Sequence, residues 1–390
     1  MAGKLKFELA DVVRRFGKQL MLQDNLSPNQ IKALHNIVQC RTVSMGGHEE
    51  VCGTCGEIRY SYNSCGDRHC PKCQLTKQAI WVEDLVEATL PVKHFHIIFT
   101  LPHQLNSVCL WDNKLYYTLL FDAVWHTLRS FGYTHYGVET GAVAILHSWG
   151  QNLSLHPHIH CIVPAAGYAL NGHWKHIGKN KKFLYPIWQL SSTFKGKFLD
   201  SLKRKLNKKG VYKGFSDAFQ KASQTQWVVH CEPSMAGAGH VMHYLGQYTH
   251  RVAISNHRII NISASHVTFI AKDYRDKARK KPVTLPGVEF LHRFCMHVMP
   301  NRFVRIRRFG IYNHTTIRNL DLQFVTEPQN AAQKLEKRIE TRLERIVRLT
   351  GFNPCKCPSC KIGNMLRMKT IPRIRSPAGH LPSLLKAHLL

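Results

Sequence analysis

The residues best equipped for chemistry lie in the run Leu155-His156-Pro157-His158-Ile159-His160-Cys161-Ile162-Val163. On an extended strand alternate residues share a face, so His158 and His160 point the same way and Ile159 packs behind them. Two imidazoles about 7 Å apart along a strand can converge on one metal ion and leave positions open for substrate oxygens. A third ligand is then needed. If Val143–Gln151 and His158–Pro164 pair as a hairpin, Gln151 lies across from His158, and its amide oxygen suits Mg²⁺ or Mn²⁺. His156 competes for that role, although it precedes Pro157. A bare His-x-His also occurs on half-exposed strands that bind nothing, so the run needs company to be read as a site.

Tyrosines supply that company. His240-Val-Met-His-Tyr244-Leu-Gly-Gln-Tyr248-Thr-His-Arg251 reads as the end of a helix, and residues four apart share one helical face. A phenol, with its pKa near 10, is a poor nucleophile unless it is oriented and its electrophile is activated. The matching electrophile is a DNA phosphodiester polarised by the ion on His158 and His160. Attack would give a 5′-phosphotyrosine and a free 3′-OH, conserving bond energy for rejoining. Two tyrosines would let two strands be held in turn. Tyrosine pairs at this spacing are most often core or interface aromatics, and the histidine run is what shifts the reading. Amidohydrolase-type metal sites also use His-x-His, but they require a strand–helix rhythm and Asp ligands that this chain lacks.

The third constellation is cysteine. Cys52-Gly-Thr-Cys55 and Cys70-Pro-Lys-Cys73 are two knuckles with 14 residues between them, and a tetrahedral zinc takes two thiolates from each such knuckle. Cys65, His69 and His48 are near enough to replace one ligand. Cys355, Cys357 and Cys360 form a further knuckle in the tail. They could hold a second zinc if Cys295, His297 or Cys65 completed it.

These residues need elements to position them. Residues 1–40 carry helical apolar stripes, 48–73 read as irregular and rich in Cys and Gly, and 74–90 read as helical again. From His94 onward short apolar strands (94–101, 138–150, 159–164, 227–231) alternate with a long helix over 107–131 and a basic one over 195–209. A hairpin follows at 258–271 and an amphipathic helix at 328–349. Strands and helices mixed in this way argue for α+β, with helices flanking a largely antiparallel sheet. We divide the chain into a helical and zinc-binding DNA-recognition segment (1–90), a catalytic segment (91–310) and a basic C-terminal helix and Cys-containing tail (311–390).

Composition points to a polyanionic partner. Lys+Arg number 54 against 24 Asp+Glu, a formal net charge of +30, and phosphate backbones are the usual complement to such a surplus. Ribosomal or membrane-surface binding would carry the same sign. The N-terminus lacks the apolar core of a signal peptide, and no run of about 18 apolar residues could span a bilayer. A reducing cytoplasm is the expected location, where paired cysteines hold metal more often than disulfides. The basic helix, with Lys203, Arg204 and Lys205, and the segment from Lys272 to Arg308, with Arg305 and Arg307, are the expected phosphate tracks. Arg251 follows the tyrosines, and interspersed aromatics could stack unpaired bases.

Taken jointly, these motifs resemble the HUH superfamily of single-strand nucleases, and within it the rolling-circle transposases of the insertion-sequence-91 type. The resemblance runs from about residue 30 to 310. It is carried by Ser61-Tyr62-Asn63-Ser64-Cys65 through Arg68-His69-Cys70-Pro71-Lys72-Cys73-Gln74, by Trp149-Gly150-Gln151 through His156-Pro157-His158-Ile159-His160-Cys161, and by Tyr244-Leu245-Gly246-Gln247-Tyr248-Thr249-His250-Arg251 through Asn256. It implies a ferredoxin-like antiparallel sheet carrying His158 and His160, a helix presenting Tyr244 and Tyr248, a divalent metal, and strand-specific nicking of single-stranded DNA at element ends and target. It strengthens Gln151 as third ligand and adds Gln247 as an alternative. A replication initiator or mobilisation nickase would share the chemistry. A zinc-dependent DNA-binding protein whose catalytic motif has decayed is the non-enzymatic alternative.

Overall fold

The computed structural model describes residues 7–87, 89–90, 92–178, 183–232, 253–273, 276–313 and 340–374. The chain opens with α1 (Leu9–Gln23) and α2 (Pro28–Gln39). The second is capped by Ser27, whose side chain accepts from the Gln30 amide while Gln30 reaches back to the Ser27 amide at 2.7 Å, with Pro28 at the first helical position. Residues expected to be irregular then form a hairpin, β1 (Gly47–Cys52) and β2 (Ile58–Tyr62), in register from Gly47↔Tyr62 to Val51↔Ile58. Its polar, Cys-rich sequence hides the strand pattern because neither face covers a large core. After α3 (Gln74–Glu87) comes β3 (His94–Thr100). The helix expected over 107–131 is two helices, α4 (Asn106–Trp111) and α5 (Asn113–Tyr136). Asp112 breaks the run and caps α5 by accepting from the Leu115 amide at 2.9 Å. Gly137, at φ 66°, terminates α5 in the left-handed conformation glycine favours.

The strands β4 (Val138–Glu139), β5 (Gly141–Trp149), β6 (Leu155–Pro164), β7 (Ala166–Ala169) and β8 (Trp174–His176) follow, then α6 (Ile187–Lys208), α7 (Ser216–Gln224) and β9 (Val228–Glu232). The remaining described elements are β10 (Ile259–Ile262), β11 (His266–Asp273), β12 (Arg279–Pro286), α8 (Gly287–Met296), β13 (Ile306–Gly310), α9 (Arg342–Thr350) and β14 (Met365–Ile371). Helix α9 is the described part of the amphipathic segment expected over 328–349.

The principal sheet has the order β13-β5-β6-β3-β9, with every neighbouring pair antiparallel. Leaving out the edge strand β13, the sequence β3–α5–β5–β6–α6–β9 is a βαββαβ unit of ferredoxin-like order. Alternation sorts its two faces. Phe95, Ile97 and Phe99 of β3, Ala142, Ala144 and Leu146 of β5, and Ile159, Cys161 and Val163 of β6 are buried beneath α5 and α6. Helix α6 contributes Leu190, Phe194, Phe198, Leu202 and Leu206 to that core, with Phe194 edge-on to Phe99 at 5.0 Å. Each such side chain adds roughly 1.5–3 kcal/mol of burial. On the other face Val143, Ile145 and Ile162 pack with Leu85, Leu90 and Tyr312. This is the α+β architecture expected, antiparallel sheets flanked by helices.

Two further units cross the linear segments 1–90, 91–310 and 311–390. The apolar stripe of α1 (Leu9, Val12, Val13, Phe16, Leu20) is covered by α2, by α8 and by the β10-β11-β12 sheet, so a helical pair too small to bury itself borrows its core from residues 253–298. In the small sheet β14-β1-β2, the C-terminal strand lies along the N-terminal hairpin, from Gly47↔Ile371 to Cys52↔Met365.

Candidate metal centre and cysteine clusters

The histidine face is built by register. The β5–β6 hairpin forms, but its connection is Gly150–Ser154, closed by the Gly150 amide donating to Ser154 O at 2.9 Å. Buried His297 pins this turn by contacting Leu153 O through Nε2 at 3.0 Å. Trp149 thus pairs with Leu155, and His147, not Gln151, lies opposite His158. Gln151 sits in the turn, where its carbonyl oxygen accepts from Arg258. His147 shares the face of Val143 and Ile145, and the ligand nitrogens of His147, His158 and His160 all lie within 4.8 Å of one another. His156 is exposed at the start of β6, outside that group.

Hydrogen bonds fix which nitrogen each ring offers. His158 Nδ1 stands 2.7 Å from the carbonyl of His156, and a carbonyl can only accept, so Nδ1 carries the proton and Nε2 is left as a ligand. His96 Nδ1 lies 3.1 Å from Glu232 Oε2, and His96 Nε2 lies 2.9 Å from His160 Nδ1. The carboxylate accepts from His96 Nδ1, so His96 Nε2 must accept from His160 Nδ1, and His160 Nε2 is in turn left to bind metal. Burial pushes His158 down to about 4 and His160 well below the usual histidine range, so both rings are neutral, as ligation requires.

The expected phosphate-binding residues separate. Trp149 stacks beside His147 at 5.3 Å, and the Arg305 guanidinium lies over Trp149 at 5.8 Å, next to the histidines. Burial, with Arg68 beside it, lowers Arg305 to about 10. Arg307 turns to the helical side, 4.3 Å over the Phe121 ring and 3.9 Å from Asp122. Lys203, Arg204 and Lys205 are exposed on α6, which covers the sheet face opposite the histidines. Tyr244, Tyr248, Gln247 and Arg251 lie outside the described residues.

The cysteines also regroup. Cys52, Cys55, Cys70 and Cys73 are not brought together. Cys70 and Cys73 join Cys40 and Cys65, while Cys52 and Cys55 join Cys357 and Cys360. In the first cluster Cys73 Sγ lies 3.3 Å from Cys40 Sγ and 3.5 Å from Cys65 Sγ. His69 is engaged elsewhere, by Asp67 at 3.0 Å and by the Met299 amide, which donates to its Nε2 at 3.0 Å. Cys295 and His297 are buried in other packing, and Cys355 is exposed. Sequence reasoning had no signal for Cys40, a lone cysteine at the end of α2. His147 was visible only as one more residue of a strand.

Residues 141–319 match the family described as "Putative transposase", and residues 12–101 match the "Transposase zinc-binding domain" of the IS91 group. The chain is 37% identical over 393 residues to the "Putative transposase y4qJ" of Sinorhizobium fredii, an alignment covering 95% of this chain and 97% of that one. The chain belongs to the insertion-sequence-91-type transposases. It is also 25% identical over 303 residues to the "Transposase for insertion sequence element IS801" of Pseudomonas savastanoi pv. phaseolicola, covering 75% of this chain and 72% of that one. No solved structure matches it. The first match contains His147, His158 and His160, Tyr244 and Tyr248, and Arg305. The zinc-binding match contains the whole Cys40–Cys65–Cys70–Cys73 cluster but only half of the second. DNA is the substrate such an enzyme acts on. Among the described residues, no helix is long and apolar enough to cross a membrane.

Proposed function

We propose that this transposase nicks single-stranded DNA at the ends of its element and transfers the strand through a 5′-phosphotyrosine intermediate, as in rolling-circle transposition. The observation that carries this reading is the His147–His158–His160 group on adjacent strands, with hydrogen bonds that leave Nε2 of both His158 and His160 without a proton. Three neutral imidazoles fit a divalent ion. An all-nitrogen set suits Mn²⁺ better than Mg²⁺, which prefers oxygen ligands and keeps its waters. An ion bound there would draw charge from a non-bridging phosphate oxygen and make the phosphorus more electrophilic.

The protein's own groups do the rest. The phenol of Tyr244 or Tyr248 gives up its proton and bonds to phosphorus, the P–O3′ bond breaks, and the departing O3′ takes a proton to become the free 3′-OH. Attack by a 3′-OH on the phosphotyrosine reverses these bonds and rejoins a strand. Arg305, held over Trp149 beside the histidines, supplies positive charge for the flanking phosphate. Lys203, Arg204 and Lys205 serve DNA away from the reacting bond, and the zinc-binding region contributes to recognising an element end.

The test is incubation with labelled single-stranded element ends plus Mn²⁺ or Mg²⁺, read on denaturing gels. An adduct that survives SDS in wild type and is lost in Y244F/Y248F is the expected result, with Mn²⁺ the stronger activator. Tight DNA binding with no nick or adduct in either metal would overturn the reading.

A further inference from the structure

We propose that the transposase binds a second zinc ion on Cys52, Cys55, Cys357 and Cys360, and that this ion fastens the C-terminal strand β14 into the N-terminal zinc-binding head. Half of these ligands lie far beyond the residues matching the zinc-binding domain.

Sulfur geometry is the first support. A zinc with four thiolates at about 2.3 Å sets neighbouring sulfurs roughly 3.8 Å apart. Cys52 Sγ lies 3.8 Å from Cys360 Sγ, and Cys55 Sγ lies 3.7 Å from Cys357 Sγ. Both separations are far too long for disulfides, whose sulfurs sit about 2.05 Å apart. Each contact joins one knuckle to the other, so neither pair closes on itself.

The second support is how the backbone wraps the sulfurs. The Thr54 amide donates to Cys52 Sγ and the Gly363 amide to Cys360 Sγ, both at 3.4 Å, so each knuckle turns a backbone donor onto a sulfur. A Cβ on Gly363 would stand 2.5 Å from Cys52 Sγ, so glycine is what lets the tail knuckle close over the hairpin knuckle.

The third support is how little apolar surface the sheet buries beyond its backbone ladder. Five of the seven residues of β14 are exposed. The buried cluster of this unit is Cys52, Cys357 and Met365, with Cys360 packed against it. Three short strands with so little apolar surface do not hold together by burial, and small folds in this position use metal or disulfides instead. Zinc binding displaces the thiol protons to buffer and needs no oxidant.

The experiment measures zinc per chain in the full-length protein, by inductively coupled plasma mass spectrometry after exhaustive dialysis, together with alkylation of individual cysteines by N-ethylmaleimide. The expected result is two zinc ions in wild type and in C355S, one in C357S/C360S and one in C40S/C65S. Cys357 and Cys360 of wild type should be protected from alkylation until a strong chelator is added. Residues 365–371 should exchange amide hydrogens at least tenfold faster after chelation. A wild-type chain with one zinc that C357S/C360S retains, or Cys357 and Cys360 alkylated at the same rate with and without chelator, would overturn the proposal. If C357S/C360S does not fold, the alkylation and exchange readouts on wild type decide. None of these readouts involves DNA cleavage, so their outcome is separable from that of the proposed nicking.

Discussion

His160 Nδ1 stands 2.9 Å from His96 Nε2, with the two ring planes within 10° of each other, and Glu232 holds the far nitrogen of His96. A carboxylate–histidine pair behind a ligand fixes that ligand's tautomer and ring orientation. The chain Glu232–His96–His160 runs across three adjacent strands, β9, β3 and β6.

His96→Ala should therefore weaken Mn²⁺ binding about 10–100-fold while leaving the fold intact, with Glu232→Gln weaker in the same direction. Titration of the metal-free protein followed by electron paramagnetic resonance checks this. Unchanged affinity in both variants would mean that the histidine pair is packing alone.

Register separates His147 from Gln151. His147→Ala should lower single-turnover nicking by at least about 100-fold, the scale of losing a group that stabilises the transition state, and Gln151→Ala should stay near wild type. The reverse ranking would restore the amide as ligand.

Acid should loosen the fold in a defined window. Burial lowers both His94 and His297 to about 4. An unfolded histidine takes its proton near 6.5. Between pH 6.5 and 4 the unfolded chain binds protons that these folded rings refuse, so stability is full above 6.5, falls through the window and levels off below it. Each ring accounts for at most about 3 kcal/mol. Urea midpoints measured from pH 7 to 4 should fall, and His297→Gln should show a shallower slope than wild type. Equal slopes would remove His297 from the account.

Gly310 ends β13 at φ +56°, and a Cβ there would meet Thr140 O at 2.0 Å and the Trp125 ring at 2.6 Å. Gly310→Ala should cost about 2–4 kcal/mol, combining an unfavourable φ with overpacking. Thermal unfolding checks the figure. A loss below 0.5 kcal/mol, well under those estimates, would show that the edge strand simply shifts away.

Much of the histidine face was legible because strand alternation is a local property. It put His158 and His160 together and Ile159 behind them. The third histidine of the group was not legible because register depends on where the turn closes, and that is set by Gly150, Ser154 and a distant His297. The cysteines divide in the same way. A Cys-x-x-Cys spacing announces a knuckle but does not say which other knuckle it meets, so Cys52–Cys55 and Cys70–Cys73, near in sequence, close on different partners. The core of α1 was legible as a stripe, while its cover, α8 and β10–β12, comes from residues more than 200 positions further along the chain.

The cysteine contacts between hairpin and tail also impose an order on biosynthesis. Cys55 and Cys357 are 302 residues apart, and ribosomes add roughly 5–20 residues per second. The hairpin therefore leaves the ribosome with an open edge on β1 and two unmatched thiols, and it waits some fifteen seconds to a minute, on the order set by that rate, for its partners. The βαββαβ core can be complete well before then. Among the described units the head is the last to close, and a message cut short before the tail codons would yield a chain with its histidines in place and its head unfinished.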